Sequence, residues 1–367
     1  MKNTMGTALS VTIFGESHGP MLGAVLDGLP AGIPVDGDVI AAQLSLRRPT
    51  DELSTSRREE DPFEIVSGVC RGFTCGTPLC ILIPNRAQSS EEYEAIKTLA
   101  RPGHADYAAQ IKYGGFQDTR GGGHFSGRIT AALVAAGAVV LPALRRKNIV
   151  IRSHILRCGG ESDRRFSLRE EELRAELASL ENMAFPVLSR EAGERMKRAI
   201  LAAKEARDSV GGVLETAVCG VPAGVGEPWF DGVENVLARA LYAIPAVKGV
   251  AFGDGFSLAD MRGSQANDPY YMEDGRVRTA SNHNGGINGG VTNGMPLVIQ
   301  TAIKPTPSIG QPQKTVDFVR GEDTTLTLRG RHDPCIVHRA AVAVDSVAAL
   351  ALCDLLMGRF GAGWLTE

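Results

Sequence analysis

The chain has 367 residues, 43% of them hydrophobic and 22% charged, which excludes a disordered polypeptide and allows one large domain or two ordinary ones. Its 39 basic and 42 acidic residues leave a net charge of −3, so no global field draws it to nucleic acid or an anionic membrane, and any anion site must be a local cluster. Glycine is abundant at 43 residues, which predicts many tight turns and close backbone approaches.

In chain order, residues 8 to 14 predict a strand entering the turn Gly15 to Pro20, and residues 21 to 28 predict its partner. Asp36 is a suitable N-cap for a helix through Arg47, stopped by Pro49. Strands are expected at 63 to 69 and 78 to 84 around a Gly72–Gly76 turn, and Ser89 or Ser90 followed by glutamates opens a short helix. Arg128 to Leu144 is rich in alanine and valine on nearly all sides, the mark of a buried helix. Residues 167 to 181 and 189 to 207 are rich in Glu, Arg and Lys and begin at Ser167 and Ser189, which predicts an exposed, solvated helical hairpin inserted at about 167–207. Strands follow at 213 to 219 and 248 to 252 with a helix near 232 to 242 between them, and a last apolar helix spans roughly Ile336 to Met357. No repeat or low-complexity linker divides the chain, so a single elaborate α/β domain over 1–367 is the economical expectation.

No apolar run reads as long enough to cross a bilayer, the nearest being Ala131 to Leu144, and the N-terminus lacks the apolar core of a secretory signal. Seven cysteines form neither a CxxC pair nor a zinc spacing, so reduced thiols in a cytoplasmic protein are expected. Polar, glycine-rich segments lie between the apolar elements at 15–19, 101–107, 118–123, 261–265, 281–286 and 331–334. Glycine beside Arg, Ser and His suits an anion, because backbone N–H groups approach closely and guanidinium groups bind phosphate in a fork. Neither a GxxxxGK[ST] loop nor a strand-turn-helix GxGxxG is present, which disfavours a nucleotide triphosphatase or a dinucleotide-binding domain. Five of the seven histidines (18, 104, 124, 283 and 332) sit in these loops, where a group titrating near neutrality is useful. No HxxxH, HxH or HExxH spacing occurs, so no metal site is expected.

Taken together, GESHGPMLGAVLDGLPAG (15–32), RRP with RRE (47–49, 57–59), EIVSGV (64–69), RPGHADY (101–107), KYG (112–114) and RGGGxxSGR (120–128) resemble the chorismate synthase family. AVKGVAFGDGF (246–256), RGSQAND (262–268), SNxxGGIxGG (281–290), NGMP (293–296), KPTPSI (304–309) and RHDPC (331–335) continue the likeness in the family's order. The resemblance implies an α+β fold, a β-α-β sandwich with a helical layer between antiparallel sheets, assembled as a homotetramer. It implies loss of phosphate from 5-enolpyruvylshikimate 3-phosphate in an anti-1,4 elimination giving chorismate, with reduced FMN and no net redox change. No added flavin-reductase domain is visible, which points to a separate flavin reductase instead of reduction by the chain itself with NADPH.

Carried over residue by residue, the resemblance makes His18, His104, Asp333 and Ser17 the catalytic candidates. His18 would neutralise the departing phosphate with Ser17 in the same relay, His104 would tune the flavin, and Asp333 would assist proton removal. Arg48, Arg101, Arg128 and Arg331 would line the substrate pocket, suiting two carboxylates and a phosphate. The flavin candidates are Ser126, Gly289, Lys304, Pro305, Thr306, Pro307, Ser308 and Arg331, with His124 and Phe125 standing where the family commonly has Arg-Ser. The stretch from Thr50 to Ser56 lacks the family's middle arginine, Pro245 replaces an asparagine, and Asp345 stands for a glutamate. These departures motivate two alternatives. One is a flavin- or phosphate-ligand-binding protein of the same fold with reduced or lost turnover; the other is a phosphate-eliminating lyase for a different anionic substrate.

Overall fold

The computed structural model describes residues 2–49, 52–54, 61–85, 96–328 and 332–367. Arg331, the RRE segment, most of Thr50 to Ser56 and the helix expected after Ser89 lie outside these residues. Alternation builds the first sheet. Its strands lie side by side, all antiparallel, in the order Thr4–Met5, Ser10–Gly15, Met21–Asp27, Leu79–Pro84, Glu64–Ser67. Along Leu79–Pro84 every second residue is buried, with Leu79, Ile81 and Ile83 fully enclosed, as expected of a strand with one face on the core. A second antiparallel sheet has the order Val247–Phe252, Leu297–Ile303, Gly212–Cys219, Val150–Cys158, Glu161–Ser162.

Two helices fill the space between the sheets. Thr130–Arg146 packs on the first sheet through Met21–Asp27 and Leu79–Pro84, Val337–Phe360 packs on Val150–Cys158 and Gly212–Cys219, and the helices pack on each other. The result is the expected sandwich of antiparallel sheets around a helical layer. Both central helices are long and apolar enough to cross a membrane, with spans of 20 and 24 residues, which corrects the sequence reading that no run reaches that length. Most of each is buried inside the protein, so the apolar character belongs to a core helix covered on all sides.

The two helices approach closely at Gly137. A Cβ there would lie 2.4 Å from Ser346 Cβ and 2.6 Å from Ser346 Cα, and Ser346 cannot turn aside because its hydroxyl already donates to Val342 O at 2.7 Å. Gly137→Ala must therefore push the layer apart, at a cost of about 1–3 kcal/mol for overpacking. Thermal unfolding of that variant checks this; an unchanged or raised melting temperature would contradict the close packing.

The helices Glu170–Ser179 and Arg190–Glu205 replace the expected solvated pair with an amphipathic one. Leu173 and Leu177 join Phe166, Leu180, Ala217 and Cys219 in a small core, while Met196 and Ile200 reach the main one. Ser189 caps its helix by accepting from Ala192 N, and Asp36 likewise caps Gly37–Leu46 through Asp38 N. Ser167 does not cap; its helix begins at Glu170 after Arg169, and its hydroxyl donates to Glu172. The charged hairpin thus covers the outer face of the second sheet. That explains why Val150–Cys158 was missed as a strand: buried on both faces, and carrying Arg152, Ser153 and His154 inside, it shows no period of two.

Candidate active site

The turn between Ser10–Gly15 and Met21–Asp27 carries Ser17 and His18, and His18 is only 4% exposed. The triple-glycine loop lies against it. Gly121 has φ of +60°, and a Cβ there would sit 2.6 Å from the His18 ring and 2.7 Å from Ser17 Oγ, so this position needs glycine for both conformation and space. Ser17 N donates to Gly123 O at 3.0 Å. The His124 Nδ1 lies 2.7 Å from Gly15 O and donates to it. His124 therefore spends one ring nitrogen on the His18 turn, which gives the histidine a positional use. Ser126 caps the turn Gly127–Ile129 by accepting from Arg128 N.

Arg128 points from the start of the first central helix into a charged cluster. Its Nη1 donates to Asp61, whose other oxygen accepts from Arg47 Nη2 at 3.0 Å. The Asp61 side chain is wholly buried. Burial alone would raise its pKa, but the charges of Arg47 and Arg128 outweigh that and hold the carboxyl below the usual range. The Arg47 carbonyl accepts from Arg339 Nη1 at 3.4 Å, and Arg339 Nη2 pairs with Asp333 at 2.5 Å. One continuous chain of polar contacts therefore runs from Asp333 through Arg339, Arg47, Asp61 and Arg128 toward the His18 turn.

A second cluster joins the 101–107 loop to residues 304–308. His104 Nε2 lies 2.9 Å from Ser308 Oγ, Lys304 Nζ donates to Gly103 O at 2.6 Å, and a Cβ at Gly103 would meet Pro307. Lys304 N donates to Ala246 O at 3.0 Å, so the turn containing Pro245 and Ala246, the latter at φ of +74°, sets the course of this strand end. Arg101, expected to face substrate, is buried and gives Nε and Nη2 to Asp106 in a fork at 2.7 Å each. Burial, followed by the positive charge of Arg101, pushes His104 down to about 4, so its imidazole is neutral at pH 7. The pH sign follows from this. The unfolded imidazole takes up a proton that the folded one refuses, so the stability involved is complete above about pH 6.5 and is lost as the pH falls toward 4, by at most about 3 kcal/mol. Melting curves of wild type and His104→Asn at pH 7 and 4.5 should differ in slope with pH, the variant being flatter; parallel behaviour would contradict the shift.

His332 adds a small positive contribution to the field at His104, and its chain neighbour Asp333 ends the arginine chain. Gly289, at φ of +62°, sits in the tight Ile287–Thr292 turn, beside Gly290, whose neighbours are Glu227 and Gly232, and no atom approaches its Cβ position. His283 pairs with Asp254 at 2.5 Å, and Asp254 is held by Arg165, which also binds Glu215; this loop histidine belongs to an ion network beneath the charged hairpin. Asp345 lies buried in the helical layer, accepting from Ser153 Oγ at 2.6 Å, and burial raises it to about 6. Arg331 falls outside the described residues. Sequence reading passed over Asp61, Asn85 and Arg339, for which spacing carries no signal, and over Arg47 and Asp106, which stood within quoted motifs as neighbours of the favoured residues.

A family model described as chorismate synthase matches residues 9–357. The chain is 46% identical over 354 residues to the chorismate synthase of Thermococcus kodakarensis, covering 96% of this chain and 97% of that protein. It is 48% identical, with the same coverage, to that of Thermococcus gammatolerans. A crystal structure of chorismate synthase superposes with a TM-score of 0.76 at 30% identity, covering 97% of this chain and 94% of the other.

Proposed function

Because the chain belongs to the chorismate synthase family, we propose that it is a carbon–oxygen lyase that eliminates phosphate from 5-enolpyruvylshikimate 3-phosphate. The elimination is anti-1,4, gives chorismate, and uses reduced FMN with no net redox change, as the last shikimate step toward aromatic amino acids. The observation that carries this reading is the unbroken polar chain linking Asp333 to the His18 turn through Arg339, Arg47, Asp61 and Arg128. It brings residues distant in sequence into one electrostatic unit, as a small polyanionic substrate requires.

The 304–308 segment suits the flavin. Thr306 Oγ1 is buried without a hydrogen-bond partner among the described residues, an atom that a ligand's polar group would satisfy, and Lys304 and Ser308 add donors in the same segment, with Ser126 assigned alongside them. His124, Phe125, Pro305, Pro307, Gly289 and Arg331 complete the residues assigned to it. The chemistry a bound reduced flavin would supply is electron density that eases breaking of the allylic C–O bond, with none consumed overall. The protein's part is placement. Arg48, Arg101, Arg128 and Arg331 hold the carboxylates and phosphate, and His18 with Ser17 neutralises the leaving phosphate. Asp333, oriented by Arg339, would receive the substrate proton, while neutral His104, held by Ser308, would offer an uncharged imidazole to a bound flavin.

Exposed aromatic side chains, among them Phe116 at 95%, Phe256 at 90% and Phe230 at 88%, support burial between subunits, and we read the chain as one domain with a hairpin insertion, forming a cytoplasmic homotetramer fed by a separate flavin reductase. Anaerobic assay with reduced FMN tests the whole reading. Phosphate release with the appearance of chorismate absorbance is expected; flavin binding without turnover would replace it with the binding-protein alternative, and a monomeric mass in sedimentation would remove the tetramer.

A further inference from the structure

Accepting His18 and Arg128 in those roles, the structure assigns Asn85 as a positioning residue that ties the His18 turn to the Arg128 guanidinium. Asn85 follows the strand Leu79–Pro84, whose pairing with Met21–Asp27 makes it a rigid base beside the turn, and its backbone N donates to Pro20 O at 3.1 Å. Its side-chain amide nitrogen donates to Glu16 O at 3.1 Å and to Gly19 O at 2.9 Å, the two carbonyls that bracket Ser17 and His18. Its amide oxygen accepts from Arg128 Nε at 3.0 Å.

The chemistry leaves one orientation for this amide. A guanidinium only donates and a carbonyl only accepts, so the oxygen must face Arg128 and the nitrogen must face the turn. Aspartate could not serve, because an ionised carboxylate has no proton for the two carbonyls. Alanine would leave both carbonyls and Arg128 Nε without these contacts. On its other side the turn is held by Gly123 O, His124 and the Gly121 backbone. Asn85 is thus one of two clamps that fix the imidazole relative to the arginine cluster, and Asp61 holds the far end of Arg128. Charge arriving at Arg128 and the placement of His18 are coupled through this one side chain.

The test compares Asn85→Ala, His18→Ala and the double variant in the anaerobic assay, together with the His18 ring resonance by NMR. Asn85→Ala should lower kcat by about 10- to 100-fold, the effect of a misplacement near 1 Å, with a displaced His18 resonance and a smaller change in KM, since Asp61 still holds Arg128. On the His18→Ala background, the same substitution should change kcat by less than about twofold, because a residue acting through His18 has nothing left to position. Asn85→Ala with wild-type kcat and an unmoved resonance would overturn the assignment. So would a rise in KM alone, or fully additive losses accompanied by a lower melting temperature. If wild type itself releases no phosphate, the proposed reaction fails, while the His18 resonance still decides whether Asn85 positions the ring.

Discussion

Replacing His18 with alanine is expected to lower turnover by about 10² to 10⁴-fold, the range for a single acid–base group. Geometry makes the loss one of chemistry and not of folding. The ring sits against the Gly121 backbone, while the turn that carries it is held independently by Gly123 O, His124 Nδ1 and the Asn85 amide. Truncation removes the imidazole and leaves these contacts in place. kcat measured anaerobically should therefore collapse while thermal unfolding stays within a few degrees of wild type. Turnover within threefold of wild type would remove His18 from the reaction. Equal loss of stability and turnover would make it a packing residue.

For stability, the largest loss expected is that of Asp61→Ala. One enclosed carboxylate serves two guanidiniums that are themselves only 8% and 11% exposed at the side chain. Removing it brings two like charges face to face in a poorly solvated site, and breaking a buried pair in this way costs about 3–5 kcal/mol. For a chain of this length that is a fall of about 4–6 °C in melting temperature. Asp61→Asn, which keeps the shape and loses the charge, should fall between the two. The pH sign is that of a depressed carboxyl: its contribution is present above the ordinary aspartate range and disappears as the pH drops through the lower folded value. The wild-type advantage over Asp61→Asn should therefore vanish in acid. A constant difference down to pH 2 would mean that the carboxylate contributes through shape alone. Activity should suffer too, since Arg128 and Arg47 would lose the group that aims them.

Particular residues separate what was legible from what was not. His18, His104, Asp333 and Arg128 could be named as candidates because each lies in a short motif through which the chain resembles the family. The first sheet was legible because one of its faces meets the core, so Leu79, Ile81 and Ile83 alternate with partly exposed neighbours. Val150–Cys158 was not, because the charged hairpin covers its second face and a His154–Glu215 pair lies beneath it. The hairpin itself was read as wholly solvated, since its apolar residues are few; only docking shows that Leu173, Leu177, Met196 and Ile200 are enough to seat it. Arg101 shows what a motif leaves out. The resemblance names it for the substrate pocket, and only the fold shows that Asp106, five residues on, accepts from its Nε and Nη2.

Local order in this chain follows from short-range rules that the sequence carries by itself. Asp36 and Ser189 begin helices because their side chains reach the first free N–H groups, and Gly121 turns because a left-handed backbone without a Cβ suits glycine. Those rules reach single elements; the ordered motifs, through the resemblance they carry, were sufficient for the family and the layered architecture. Which charges meet was decided by tertiary structure alone. Asp61 lies 67 residues from Arg128 and Asn85 lies 66 from Gly19, and a Coulombic or hydrogen-bonded contact acts over a few ångströms of space, whatever the distance along the chain.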